Sequence, residues 1–551
     1  MTPKQTLPRD LDGKAPQRAR VLALGLDAPN HELLLQWMAG GQLPNLQKLQ
    51  KRSAAVTIGS TKRYSNEHCW IPMLTGQNRN RWNHWLDQWD ATRYKFSEAS
   101  IFDWLQAPLF YARGSGLRVT SFDLTAPVVK NVEGIQIAGW ASELNESYPQ
   151  SEPAELLQEL LTLYGPDPKL VGAKAVTNPL SDRQGVSHAV PNLYQPDLMR
   201  DFALRQVRSV ERRTAACRDL LKRDKWDLFI TMYSEIHTAG HVLWHLSQPH
   251  PLNMTREGPE DPLLTVYQAV DRSVGQLLEE IDPTVTVVFY TIDAIVTDSL
   301  ENARAIFLPE FLYRWNFPGK AALAEGIRGV APSPARVDYA EHWKHEVWRL
   351  RSTFGDTELE SPASQEARED PMNWCPANWY APLWSSMRAF AMPTVADGYI
   401  RLNVQGREAH GVVSAADYNT ICDQLEKDLS GLVNARTGKP VVREIVRVRK
   451  SPIEDDPKQP PADLIVVFEE QGPVDTVESP LVGRIGPVPY FRSGAHQAQG
   501  GCVTNLMYVS GPGIQPGQRS NQPAALEDIP ATILSLLRVA LPAEFDGMAR
   551  I

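Results

Sequence analysis

Short apolar runs alternate with segments of helical periodicity along most of the chain. The clearest run covers residues 227–233, and a segment with helical spacing follows it directly. Further apolar, β-branched runs lie at 20–27, 56–60, near Val119, and at 284–290, 441–448, 464–468 and 503–509. Helical periodicity covers 30–38, 152–164, 198–221, 261–281, 417–432 and the segment from Asp528. Continuous apolar runs separated by helices are typical of parallel strands that are buried on both faces, so the pattern predicts an α/β protein.

The composition changes between residues 301 and 389. Six tryptophans lie there among prolines and charged residues, without a strand–helix alternation: Trp315, Trp343, Trp348, Trp374, Trp379 and Trp384. We interpret 301–389 as an insertion or lid over the site. The α/β core is expected to comprise residues 19–300 and 390–551, with a loop-rich flank at about 90–215, and residues 1–18 are expected to be a disordered leader.

Bulk composition excludes several classes of function. The 551 residues include 42% hydrophobic and 22% charged residues, which is ordinary for a globular protein, and carry a net charge of -9. That charge argues against binding of a nucleic-acid polymer, because no basic excess is present to neutralise phosphates. No apolar run approaches the length of a membrane span, and no secretory signal is visible. The five cysteines include no CxxC pair, which fits a reducing compartment, so we expect a cytoplasmic protein. We also expect it to act on a small molecule.

Three histidines follow the apolar run at 227–233. His237, His241 and His245 are spaced four apart, which places them on nearly one face of a helix. Two imidazoles at this spacing can bind one divalent cation. Histidines on a polar helix face without a metal are equally common, but this pair follows the carboxyl end of a predicted strand, where open α/β sheets bind their ligands.

Asp27 ends the first predicted strand. A carboxylate at this position can bind a metal ion, or it can cap the helix that follows. The residues alone leave both roles open.

Several motifs together resemble one known family. Residues 25–49, GLDAPNHELLLQWMAGGQLPNLQKL, precede a W-x-x-x-L-T-G motif at 70–76. Further along the chain come G-R-E-x-x-G-x-V, ADLIVVF, H-x-x-x-G, G-P-G-I and D-I-P-A-T-I-L. In this order they resemble the type I phosphodiesterase/nucleotide pyrophosphatase branch of the alkaline phosphatase superfamily. The resemblance implies a doubly wound, mostly parallel sheet sandwiched by helices, with two metal ions at the strand ends.

The resemblance also implies metal ligands, and this chain departs from the family pattern at several of them. Asp27, His241 and His496 match. At the position of an aspartate four residues before His241 this chain has His237, and at an Asp-His pair it has Ile292 and Asp293. The nucleophile position falls on Asn66, one residue after Ser65.

These departures change the expected chemistry. His237, His241 and His496 form a three-imidazole set that suits Zn²⁺ with an open fourth position. Asp27, Asn66 and Asp293 offer oxygen ligands for a second ion (Zn²⁺, Mn²⁺, Mg²⁺ or Ca²⁺), or the second site is empty.

The motif pattern leaves two candidates for the attacking group. An Asn66 amide is not a hydroxyl nucleophile, so either Ser65 attacks or a metal-bound hydroxide attacks directly, and we favour the hydroxide. His68, in the same loop, is a further candidate catalytic residue, with simple exposure as its alternative.

The leading hypothesis is a metal-dependent hydrolase of a small phosphorylated or related anionic metabolite. Two alternatives remain from the sequence. The same metal site serves a lyase or transferase step in specialised metabolism, or the chain is a pseudoenzyme that binds without catalysis.

Overall fold

The computed structural model describes most of the chain. The described residues are 19–61, 69–78, 81, 85, 87–98, 107–114, 116–140, 148–172, 174–177, 184–187, 190–253, 261–323, 343–350, 359–370, 372–394, 397–454, 456–496, 502–520 and 522–551. The predicted leader at 1–18 and the loop with Ser65, Asn66 and His68 lie outside them.

The strands, numbered along the chain, are β1 (Val21–Asp27), β2 (Ala54–Thr61), β3 (Asp87–Asp90), β4 (Lys95–Glu98), β5 (Arg118–Phe122), β6 (Glu133–Ala138), β7 (Gln150–Glu152), β8 (Lys174–Thr177), β9 (Gln184–Ser187), β10 (Leu228–Tyr233), β11 (Thr286–Ile292), β12 (Ile295–Thr297), β13 (Ala389–Ala391), β14 (Gly398–Leu402), β15 (Val433–Asn434), β16 (Val442–Arg447), β17 (Leu464–Phe468), β18 (Val477–Ser479), β19 (Gly483–Ile485), β20 (Gly494–His496) and β21 (Cys502–Ser510).

The α-helices are α1 (His31–Ala39), α2 (Pro44–Lys51), α3 (Trp70–Thr75), α4 (Leu156–Tyr164), α5 (Pro196–Arg223), α6 (Glu235–Leu243), α7 (Pro262–Glu279), α8 (Leu308–Asn316), α9 (Trp343–Arg349), α10 (Pro362–Ala367), α11 (Tyr418–Ser430) and α12 (Asp528–Leu536). Short 3-10 helices cover Phe110–Ala112, Pro168–Leu170, Trp244–Leu246, Pro251–Asn253 and Pro376–Ser386, and a π-helical turn covers Ala303–Phe307.

An eight-stranded sheet, in the order β2-β21-β11-β1-β10-β5-β6-β7, organises the described part of the chain. Its five central strands, from β11 to β6, run parallel to one another. Strands β21 and β7 are antiparallel to the strands beside them. The prediction of a mostly parallel α/β sheet is therefore confirmed.

The two faces of the sheet are covered by different helices. Along β1, Leu22 and Leu24 pack into one hydrophobic cluster with α1, α2, α5 and α7. Val21 and Ala23 point the other way, into a cluster with α3 and α12. This alternation of faces is the period of two of a strand, and helices on both faces give the doubly wound, sandwiched arrangement that was expected.

A second hydrophobic core lies between residues 300 and 495. Strands β13, β14, β17 and β16 form a four-stranded antiparallel sheet there. Most of the tryptophans of the predicted insertion are buried in this core; Trp343, for example, stacks on Phe491 with 3.9 Å between ring centroids. This core extends across the predicted boundary at residue 390, and the assignment of 301–389 as a lid stays a prediction.

The segment at 398–413 begins with a regular strand, β14. The residues after it form isolated bridges between Val404 and Val413 and between Gln405 and Glu408. Gly411 lies close against the backbone of Val404, so the chain folds back too tightly for a regular ladder.

Polar residues collect at the carboxyl edge of the parallel strands. Asp27 ends β1, Asp293 follows β11, and Asp123 follows β5. Asp123 and Asp293 have positive φ values of 54° and 56°, and so does Ala28, next to Asp27, at 48°. Positive φ is unfavourable for residues other than glycine and is concentrated at functional sites, so this edge is the place to search for chemistry.

Among the described residues, no helix combines the length and the apolar character that crossing a bilayer requires.

Candidate metal centre

Helix α6 brings two histidines together. It begins directly after β10, with Ser234 between them, and all nine of its residues are buried. His237 and His241 lie one turn apart on it, and their Nε2 atoms are separated by 3.0 Å. The predicted spacing of four is therefore realised on a helix at the carboxyl end of a central strand.

The third histidine comes from the other end of the chain. His496 ends β20, which pairs with β12 in a two-stranded ribbon that follows β11. His496 Nε2 lies 3.0 Å from His237 Nε2. Within the described residues, His237, His241 and His496 form the group whose ligand atoms all lie within 4.8 Å of one another.

The outer nitrogens of His237 and His241 have hydrogen-bond partners, and that of His496 lies at an ion-pair distance from a carboxylate. His237 Nδ1 lies 2.9 Å from Asp27 Oδ2, and His241 Nδ1 lies 2.8 Å from the carbonyl oxygen of Gly494. His496 Nδ1 lies 2.9 Å from Asp293 Oδ2. Such partners fix the orientation and the tautomer of metal-binding histidines and make them more basic ligands.

These contacts determine where the protons are. A carbonyl oxygen can only accept, so His241 Nδ1 carries the hydrogen, and a carboxylate at His237 has the same effect. In the neutral rings both Nε2 atoms then carry lone pairs, and these face each other across 3.0 Å. Two buried lone pairs at this distance repel unless a positive charge lies between them.

Protonation is not the source of that charge at His241. Burial lowers the pKa of His241 well below its usual value, and the charge of Arg492 and the neighbouring His237 and His496 lower this pKa further. The ring is therefore neutral at physiological pH and available as a ligand. The three residues fit a divalent metal ion, and three imidazoles that leave a fourth position open are a ligand set of catalytic zinc.

The other predicted site residues have different outcomes. Asp27 and Asp293 lie at the centre, each beside a histidine ring. The loop with Ser65, Asn66 and His68 lies outside the described residues, so a second ion at Asp27, Asn66 and Asp293 stays a prediction. His245 turns away into the 3-10 helix after α6, where its Nδ1 lies 3.0 Å from Ser493 Oγ.

The ribbon contacts α6 through two glycines. A Cβ atom on Gly494 would lie 2.3 Å from the carbonyl oxygen of Gly240, a distance that forces the backbones apart. The ribbon is held there by the Ser493 amide, which donates to the carbonyl of His241 over 2.8 Å. Close approach of these backbones is what places His496 against His237 and His241.

A buried ionic network supports the start of α6. Arg213 of α5 is fully buried, and its guanidinium donates to Glu235 Oε1 over 2.9 Å and to Asp123 Oδ2 over 2.6 Å. Glu235 is the first residue of α6, two residues before His237. Breaking a buried ion pair on one side leaves an uncompensated charge, so this network fixes the register of the helix on the sheet.

One hydroxyl in this network contacts two acids. Ser209 Oγ lies 2.8 Å from both Asp167 Oδ2 and Glu235 Oε1, yet a hydroxyl has one proton to donate. Both contacts are hydrogen bonds when Asp167 is protonated and donates to Ser209. Burial raises the pKa of Asp167 to about 6, the Lys169 charge opposes this rise, and Glu235 adds to it.

The sequence prediction omitted Asp123, Arg213 and the Gly494 carbonyl. Asp123 directly follows β5, much as Asp27 ends β1, but the β5 sequence RVTSF is only partly apolar and gives a weaker signal than VLALGL before Asp27. The Gly494 contact depends on the path of the backbone, for which the side-chain pattern holds no signal.

The comparisons with known proteins give structural matches only. No protein-family model and no curated protein matches the chain. Phosphonoacetate hydrolase from Sinorhizobium meliloti 1021, in complex with phosphonoformate, matches with 12% identity and a TM-score of 0.47, over 95% of this chain and 96% of that chain. Murine ectonucleotide pyrophosphatase/phosphodiesterase 5 matches with 11% identity and a TM-score of 0.42, over 96% of both chains. Wild-type alkaline phosphatase PafA matches with 10% identity and a TM-score of 0.49, over 97% and 99%.

Two of these names are those of the superfamily and the branch that the motifs resemble. All three TM-scores lie below 0.5, however, and all three identities lie below 25%. The chemistry of this chain must therefore follow from its own residues.

Replacing Asp27 with Asn should weaken binding of Zn²⁺ about 10- to 100-fold, because the charge that orients and polarises His237 is removed. Competition with a chromophoric chelator measures this affinity. Asp417→Asn, an exposed carboxyl far along the chain, should leave the affinity unchanged. Equal affinities of wild type and Asp27→Asn would contradict a role for this carboxylate.

Gly494→Ala should lower the metal content of the purified protein, because the added methyl group pushes β20 and His496 away from α6. Gly431→Ala is the matched control: its Cβ has its nearest neighbour at 3.4 Å, an ordinary contact. Metal equivalents per chain, measured by elemental analysis, separate the two. Full metal content in Gly494→Ala would show that the close approach is not required.

Asp167→Asn should flatten the pH dependence of stability. Since folding raises the pKa of Asp167 to about 6, the stabilisation is present at low pH and is lost as pH rises through 6. An Asn amide donates to Ser209 at every pH, so relative to wild type the variant should gain about 1 to 2 kcal/mol between about pH 5 and pH 7.5.

Denaturant unfolding at the two pH values measures this gain. Asp197→Asn, whose side chain is 93% exposed, serves as the control and should follow wild type. A constant difference between Asp167→Asn and wild type would contradict the raised pKa.

Proposed function

We propose that this protein is a zinc-dependent hydrolase of a small molecule with a phosphoryl, phosphonyl or related anionic group. The observation that carries the proposal is the convergence of the Nε2 atoms of His237, His241 and His496. The other nitrogens of His237 and His241 are held by Asp27 and the Gly494 carbonyl, and that of His496 lies 2.9 Å from Asp293.

The ligand set supports zinc. Imidazoles suit Zn²⁺, Cu²⁺, Fe²⁺ and Ni²⁺ better than Mg²⁺ or Ca²⁺, which prefer oxygen ligands. A zinc ion bound by three neutral histidines supplies a Lewis acid at its open position and lowers the pKa of water there to roughly 7. A purely structural zinc site would have four protein ligands, and three are found among the described residues.

The chain itself provides orientation and charge. Asp27 and the Gly494 carbonyl keep the rings of His237 and His241 in one tautomer, so their ligand nitrogens are presented without prior proton loss. Helix α6 and the ribbon are packed on the rigid central sheet, which limits their motion. A preorganised site of this kind does not have to reorganise during a reaction.

The choice of a phosphorus-containing substrate rests on the sequence motifs. It follows from the resemblance of the motifs around Asp27, Trp70 and His496 to phosphodiesterases and nucleotide pyrophosphatases. In this proposal a second ion, where present, binds Asp27, Asn66 and Asp293. Ser65 and His68 remain candidate catalytic residues.

The purified protein should contain about one equivalent of zinc per chain, and more if the second site is filled. His237→Ala should lose the ion of the three-histidine site together with turnover of bis(4-nitrophenyl) phosphate. His410→Ala changes an exposed histidine outside the cluster and should retain both. Elemental analysis and release of nitrophenolate are the two measurements.

The outcomes distinguish the competing functions. Zinc without turnover of phosphodiesters or phosphonate esters would refute the phosphoryl hydrolase and favour a lyase or transferase reaction at the same site. A protein that neither contains nor takes up metal would refute the metal centre and favour a binding protein.

Ser65→Ala separates the two modes of attack. If water activated at the metal attacks the substrate, kcat for the diester should stay within about two-fold of wild type, whereas loss of a serine nucleophile lowers kcat by several orders of magnitude. Ser60→Ala, on β2 before the loop, is the control. A loss of activity in Ser65→Ala alone, with metal content intact, would establish a covalent route.

A further inference from the structure

Arg492 lies at the base of the ribbon that carries His496. It precedes β20, and on the opposite strand the amide of Asp298 donates to the carbonyl of Ser493 over 3.1 Å. Glu301 begins the segment that leaves the ribbon on that side. Arg492 and Glu301 are therefore brought together by the same backbone pairing that positions the third histidine.

The Arg492 guanidinium is held by one of its nitrogens. Arg492 Nη1 donates to Glu301 Oε1 over 3.2 Å. Glu301 is buried and receives a second cation, Arg304, on its Oε2. Arg304 also donates to the carbonyl of Thr394. The carboxylate is thus fixed from behind, and it anchors Arg492 at the edge of the site.

The remaining edge of the guanidinium points to no protein partner in the described part of the chain. Arg492 Nε and Nη2 make no hydrogen bond there, and the side chain is 26% exposed. This edge is a planar fork of N–H groups, which matches two oxygens of one phosphoryl or carboxylate group. An arginine tethered at one nitrogen has lost much of its rotamer freedom before a ligand arrives.

Among the described residues, the acidic side chains near Arg492 already have other partners. Glu301 is shared between two arginines, and Asp27 and Asp293 are engaged with the histidines. The Oδ1 atom of Asp298 accepts hydrogen bonds from the backbone amides of Leu300 and Glu301. Burial and the nearby charge of Glu301 raise the pKa of Asp298. Ser493, the residue after Arg492, donates its amide to the carbonyl of His241 over 2.8 Å, which places Arg492 beside the helix that carries the histidines.

From this geometry we infer that the Nε/Nη2 edge of Arg492 binds two non-bridging oxygens of the anionic phosphoryl or phosphonyl group of the substrate, next to the three-histidine centre. Glu301 and Arg304 are positioning residues for this contact. The inference rests on the proposed function and deepens it, since it names the residue that selects an anion over a neutral ester.

Binding of inorganic phosphate to the zinc-loaded protein tests this assignment by calorimetry, without turnover. Arg492→Gln should weaken phosphate binding about 10- to 100-fold, the range expected for loss of charge-assisted hydrogen bonds. Arg492→Lys keeps the charge but not the fork and should recover only part of the affinity. The control is Arg443→Gln, which removes the same charge from an arginine that is 30% exposed on β16.

Zinc equivalents and melting temperature of each variant show that the centre and the fold are intact. Unchanged phosphate affinity in zinc-loaded Arg492→Gln, or full recovery by Arg492→Lys, would overturn the inference while diester turnover by wild type upholds the proposed function. Conversely, phosphate binding that depends on Arg492 in a protein that hydrolyses neither diesters nor phosphonates would uphold this site and refute the hydrolase.

Discussion

The central constraint of this structure is the close contact of three imidazoles: the Nε2 atom of His237 lies 3.0 Å from those of His241 and His496. The Gly494 carbonyl and the Asp27 carboxylate each fix a proton on the outer nitrogen of a ring, so the inner nitrogens have no hydrogen with which to satisfy one another. A cation between them turns the repulsion into bonding. Helix α6, the ribbon and the two carboxylates hold the rings in the orientation that binding of such an ion requires.

Those constraints reach well beyond the ligands. The register of α6 depends on Glu235, which Arg213 holds from α5, and the position of the ribbon depends on the absence of side chains at Gly240 and Gly494. The same ribbon carries Arg492 with its Glu301 anchor. A metal ligand, a backbone contact and a tethered cation therefore share one small structural unit, and displacement of that unit would disturb all three together.

The sequence predicted the parts of this arrangement that depend on local pattern. Apolar runs located the central strands, and the spacing of His237 and His241 located the helix. The contact between distant segments of the chain was harder to predict. His496 was assigned through a family motif, because no periodicity connects it to His237. The residue pattern holds no information about the Gly494 carbonyl. The second core escaped because residues 301–389, which supply much of it, show no strand–helix alternation that would connect them to the predicted elements at 417–432, 441–448 and 464–468.

The order of strands in the central sheet has a consequence for biosynthesis. β21, from near the end of the chain, lies between β2 and β11, which are synthesised far earlier. Until residues 502–510 leave the ribosome, both of these strands present an open hydrogen-bonding edge, and apolar edges of this kind promote pairing with other chains. During translation the nascent protein therefore carries an unpaired edge on β11 and a strand, β2, whose partner in the sheet has not yet been made.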